Sequence, residues 1–97
     1  MSDRFNRKDP PATARKKLEE VRQKGESDDE FAEQVRRLVS QAFPTVSIEL
    51  QEEIAAESFL KGYKNAKIGY EALNKMPKTI SEALDIVIQL QHKFRAQ

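Results

Sequence analysis

The sequence predicts an all-α protein, a compact bundle of about five short helices. Three observations carry this. Apolar residues recur at three- and four-residue spacing in one segment after another, with no strand-like alternation of apolar and polar residues. Ser, Thr and Asn stand where helix N-caps belong, and two of them are followed three residues later by Glu. Gly25, Pro44, Gly62 and Pro77 punctuate the chain between the periodic segments. No repeat of solenoid period and no hairpin turn signal competes with this assignment.

Asp9-Pro10-Pro11 can open the first helix, since Pro is tolerated in a first turn. Ala14, Leu18 and Val21 then predict a weakly amphipathic helix over 11–23, stopped by Gly25. Ser27-Asp28-Asp29-Glu30 fits a capping box, and its acidic residues suit the positive end of a helix dipole. Behind it Phe31, Val35, Leu38, Val39 and Ala42 form the clearest single-faced helix in the chain, closed by Pro44. Ser47 caps a third helix over 47–61. Its apolar residues do not form one stripe: Ile48, Ala55 and Phe59 share one side, Leu50 and Ile54 lie nearly opposite, and Ala56 and Leu60 fall between. A helix apolar on opposed sides wants covering on both. Gly62 ends it. Asn65 caps a fourth helix over 66–76, with Ile68, Ala72, Leu73 and Met76 directed inward, and Pro77 breaks it. Thr79-Ile80-Ser81-Glu82 is a second capping box, opening a last helix over 80–94 on Ala83, Leu84, Val87, Leu90 and Phe94.

The 97 residues suffice for one domain, over 10–97, behind a polar segment at 1–9 expected to be a disordered tail. A chain of this length buries somewhat more than about 60% of its unfolded surface, enough for one thin core. The hydrophobic content of 38% leaves room for a partner surface to share the burial. The net charge of +1 hides three blocks. Residues 1–25 carry 8 basic and 4 acidic residues, 26–57 carry 2 and 9, and 58–97 carry 7 and 3. An acidic middle between basic ends suits charge-steered self-association better than nucleic-acid binding, where basic residues dominate overall.

Several chemistries are disfavoured. Cys is absent, so disulfides, thiolate metal sites and a Cys nucleophile are excluded. No apolar run reaches the roughly 18 residues that span a membrane, and MSDRFNRKD lacks the apolar stretch of a secretory leader. The cluster Glu26, Asp28, Asp29, Glu30 lacks the alternation and central Gly of a Ca²⁺ loop, and capping explains it more simply. His92 stands alone, without a second His to complete a metal site, and is expected on the surface near a helix C-terminus. Glu52 and Glu53 are adjacent and point to different helix sectors. No catalytic residues, metal ligands or cofactors are expected. Arg15-Lys16-Lys17, with Arg4, Arg7 and Lys8, could contact phosphates, but no aromatics interleave with them.

Three blocks in order resemble a known family. Leu18-x-x-Val21-Arg22-Gln23, Gly25-Glu26-Ser27, Glu30-Phe31-Ala32 and Arg37-Leu38 are similar to the L-x-x-L-R-Q, G-E-S, E-[YF]-A, R-L run of Gag capsid proteins from Ty3/gypsy-type retrotransposons. Phe59-Leu60-Lys61-Gly62-Tyr63 is similar to that family's F-L-x-G-L, and Pro77 to Leu84 to its P-x-T-L-x-E-A-L. The resemblance covers about residues 14–90. It implies a capsid C-terminal domain, the fold shared by retroviral capsids, domesticated Gag proteins such as neuronal Arc, and the SCAN domains of transcription factors. All of these are association modules. The resemblance implies a major-homology-like turn of Gln23, Gly25, Glu26, Phe31, Gln34 and Val35, with Gln23 and Glu26 in a hydrogen-bond network and Phe31 and Val35 buried. The family's Gln and Glu are four apart rather than three, and its Arg is replaced here by Gln34. The resemblance also implies homodimerisation through the third helix at Leu50, Glu53 and Ile54, rimmed by Glu49 and Glu57. The implied setting is a cytoplasmic capsid-like particle, with the chain itself as partner and no membrane or small-molecule substrate. A SCAN-like pairing module, which would be nuclear, a small nucleic-acid-binding helical module using Arg15, Lys16 and Lys17, and a peptide-binding domain with a groove beside the first helix are the alternatives.

Overall fold

The computed structural model describes residues 10–95. The segment expected to be a disordered tail, residues 1–9, lies outside them. Five helices make up the described chain: α1 (Pro11–Glu20), α2 (Asp28–Ala42), α3 (Ile48–Lys61), α4 (Ala66–Asn74) and α5 (Ile80–Arg95). No strand occurs among the described residues. The chain is all-α, as the spacing predicts.

Helix α2 forms as the capping box requires. Glu30 N–H donates to Ser27 Oγ at 3.2 Å, and Ser27 N–H donates to the Glu30 carboxylate at 3.3 Å. Its stripe of Phe31, Val35, Val39 and Ala42 is fully buried, with Leu38 packed at the edge of the core. Helix α1 packs on α2, α2 on α3, and α3 on both α4 and α5, which also pack on each other. The core lies between these layers. Phe31 and Phe59 meet at 5.5 Å between ring centroids, and Tyr63 follows Phe59 at 5.6 Å, a tilted aromatic series inside the bundle. Burying this many large side chains is the dominant favourable contribution to such a fold.

Four expectations are corrected. Helix α1 ends at Glu20, and Gly25 is not its stop: Val21 is already extended at φ −66°, ψ 136°. Val21 and Gln23 are both buried. Two residues apart on a helix they would lie about 200° apart, whereas in an extended segment they share a face. The segment docks on the end of α3, with Gln23 N–H donating to the Gly62 carbonyl at 2.8 Å. Gly62 does end α3, and its φ of −98° is one any residue adopts. It is needed because a Cβ there would stand 2.5 Å from the Val21 carbonyl oxygen.

Ile48 is the second correction. It is 71% exposed rather than in the core, because the buried residues of α3 begin at Ala55 and continue through Ala56, Phe59 and Leu60. Ala55 and Phe59, on the same side of α3 as Ile48, are buried, while Ile48 in the first turn is left outside the core. The third is Met76, 79% exposed rather than inward. Helix α4 ends at Asn74, as the α conformation is disfavoured before Pro77, and Met76 stands at φ 56°. The fourth is the second capping box, which is half formed. Glu82 N–H donates to Thr79 Oγ1 at 3.1 Å, but the Glu82 carboxylate accepts from Lys78 N–H at 3.0 Å instead of Thr79.

Candidate association surface and the Asp28 node

The residues expected to pair two copies come together on one surface. Leu50, Glu53, Ile54 and Glu57, one face of α3, line a groove with Leu73, Met76, Pro77 and Lys78 from the end of α4 and the loop into α5. Its volume is about 610 Å³. Leu50 is 46% exposed, while Ile54 and Leu73 are half-buried with one side on the core. The part played in this groove by Leu73 of α4 and by the loop residues Met76, Pro77 and Lys78 was missed by sequence reasoning. Pro77 was the available signal, since it ends α4 early enough to turn Met76 outward. Glu57 pairs with Lys61 one helical turn on, at 3.0 Å. Neither Glu53 nor Lys78 forms an ion pair among the described residues.

The turn residues implied by the resemblance separate into two groups. Gln23, Phe31 and Val35 are buried, whereas Gly25 and Gln34 are exposed. Gln23 is the single buried polar residue of the described chain, and its amide is fully used. Nε2 donates to the Glu26 backbone carbonyl at 2.8 Å and to Asp28 Oδ1 at 2.9 Å, and Oε1 accepts from Lys64 N–H at 3.1 Å. The Glu26 side chain takes no part. It accepts from Lys24 N–H at 2.7 Å and, with Gln34, faces an open cleft between α1 and α2. The network therefore centres on Asp28.

Asp28 joins four segments. Oδ1 accepts from Gln23 in the α1–α2 linker and lies 3.7 Å from Lys64 Nζ. Oδ2 accepts from the Tyr63 hydroxyl at 2.8 Å and from Gln91 Nε2 of α5 at 3.2 Å. Gln91 also donates to the Tyr63 hydroxyl. Burial by itself raises the pKa of Asp28, but the hydrogen bonds from Gln23 and Tyr63, the Lys64 charge and the Gln91 bond outweigh it, so the carboxyl titrates below its usual range. Burial, and then the Asp28 hydrogen bond and charge, push the Tyr63 phenol up. Sequence reasoning gave Asp28 only a dipole role. Its partners at 63, 64 and 91 are too distant in sequence for any local pattern to reveal.

The basic run is split by the fold. Arg15, Lys16 and Lys17 are all exposed on α1, but the Arg15 guanidinium donates to the Ala42 carbonyl at 3.2 Å and lies 5.1 Å from the centre of the Phe43 ring. Arg15 thus satisfies an orphan carbonyl at the end of α2. A second groove runs beside α1, lined by Arg15, Leu18, Phe43 and Ile54 among charged residues, where a peptide-binding reading places its site. His92 is exposed. Among the described residues no group of three or more His, Asp or Glu is placed to hold a metal ion, and no helix is long and apolar enough to cross a membrane. Comparison with protein-family models, with curated proteins and with solved structures finds no match to this chain.

Proposed function

We propose that this chain is an association domain that pairs with a second copy of itself through the α3 groove, as a Gag capsid C-terminal domain of retrotransposon type does in particle assembly. The observation that carries this is the groove itself. Four residues singled out for pairing line one exposed apolar surface together with Leu73, Met76 and Pro77. A groove with apolar side chains along its floor and charged groups at its edges is a shape into which a partner's side chains can dock. The family part of the proposal rests on the three ordered sequence blocks and on the buried position of Gln23 at the turn into α2.

The energetics suit assembly. Covering two or three such side chains on each copy contributes a few kcal/mol at about 25 cal/mol per Å², before the entropy of association is subtracted. The pair is therefore weak in isolation and gains strength when many copies are linked in a lattice. Sedimentation over a concentration series tests it. The wild type is expected to dimerise at high micromolar concentration, and Ile54→Asp to remain monomeric. Leu50→Asp, at a more exposed position, gives the same result without disturbing the core. A wild type that stays monomeric throughout, or a Leu50→Asp variant that dimerises as tightly as the wild type, overturns the proposal.

A further inference from the structure

We infer that Met76 is the anchor of this contact, seated in the groove of the second copy, with Lys78 beside it meeting that copy's Glu53. The inference rests on the self-association proposed above and specifies its geometry. Met76 is 79% exposed and stands at φ 56°, the sole non-glycine residue with positive φ among those described. A left-handed position at a helix end is ordinarily filled by Gly, because a Cβ there crowds the following carbonyl. The Met side chain is no part of the core. An exposed apolar side chain held on a strained backbone is a combination that stability alone disfavours, and such outliers gather where surfaces work. Met is also the side chain that adapts best to an irregular apolar surface.

Charge selects a second copy as the occupant. The groove has an acidic wall at Glu53 and a basic lip at Lys78, and neither forms an ion pair among the described residues. A two-fold axis brings the lip of each copy to the wall of the other, so one complementarity is satisfied twice. An unrelated partner would need the opposite arrangement built independently.

The test is sedimentation of the full chain over a concentration series, paired with urea unfolding at a concentration where it is monomeric. Met76→Gly is expected to weaken dimerisation about tenfold or more, as removal of an interface anchor does, while its unfolding midpoint stays level or rises. Met76→Leu keeps dimerisation within about threefold, since a similar apolar volume is retained. Glu53→Lys and Lys78→Glu each weaken pairing, and the double variant restores it. If Met76→Gly dimerises as tightly as the wild type, or unfolds more readily, Met76 is not the anchor. If the double variant pairs no better than either single one, the Glu53–Lys78 contact is wrong. A dimer broken by Leu50→Asp but indifferent to Met76→Gly overturns this inference alone; a monomeric wild type overturns the proposed function with it.

Discussion

The Asp28 node and the α3 groove differ in what each leaves over. At Asp28 both carboxylate oxygens are engaged twice, by donors from three segments outside α2. Along the groove Leu50 and Met76 stay exposed, and Glu53 and Lys78 face solvent without ionic partners among the described residues. A half-buried carboxylate surrounded by donors stabilises a fold only while every donor is satisfied. The exposed part of an apolar groove contributes little to an isolated chain and becomes favourable when covered. One region holds the molecule together, and the other is the surface through which pairing is proposed. Substitutions should therefore separate the two, through folding stability at Asp28 and association at the groove.

The largest effect on stability is expected at Asp28. Asp28→Ala leaves the Tyr63 hydroxyl without an acceptor and takes one bond each from the Gln23 and Gln91 amides, and should destabilise the fold by about 3 kcal/mol. For a domain of this size that lowers the melting temperature by roughly 10 °C or more. In the cold, where the variant is still folded, sedimentation should give wild-type pairing. A loss of pairing there, with little change in melting, would reverse the roles assigned to the two regions.

How legible this was in the sequence depends on range. Helix α2 was readable in full, because Ser27, Glu30 and the Phe31–Val35–Val39 stripe act within a few residues of each other. The start of α3 at Ser47 and of α4 at Asn65 was readable for the same reason, each side chain accepting from the N–H three residues on. The extended segment at Val21–Gln23 was not, since it is set by the close approach to Gly62, forty residues away. Ile48 misled because periodicity gives the direction of a side chain but not how far its neighbours reach. Half of the groove was legible as the second apolar side of α3. The other half came from a loop conformation, and the Asp28 node from contacts spanning up to 63 residues.

Acid should find the node before the groove. The folded pKa of Asp28 lies below its ordinary value of about 3.9, so its contribution is fully present above that pH. It is lost as the pH falls from there through the lower folded value. Urea unfolding as a function of pH should show this loss below about pH 4, and Asp28→Asn should flatten it. The Asn variant is also less stable at neutral pH. Whichever way its amide turns, its NH₂ group faces either the Gln23 and Lys64 donors or the Tyr63 and Gln91 donors. An acid limb equally steep in the variant would show that other carboxylates carry it.

The smallest effect is expected at Glu26, where the family resemblance placed weight and the geometry does not. Its carboxylate is on the surface, and the hydrogen bond from Lys24 N–H lowers its pKa. A Gln at this position offers an amide oxygen to the same N–H. What Gln23 meets at residue 26 is the backbone carbonyl, which substitution leaves in place. Glu26→Gln should therefore melt with the wild type. Gln23→Ala, measured in parallel, should fall by about 2 kcal/mol, because the Lys64 N–H and Glu26 carbonyl lose their partners and Asp28 loses a donor. If Glu26→Gln falls as far as Gln23→Ala, the turn is held by a Gln–Glu side-chain network of the kind the resemblance implies, and Asp28 is not the centre of the node.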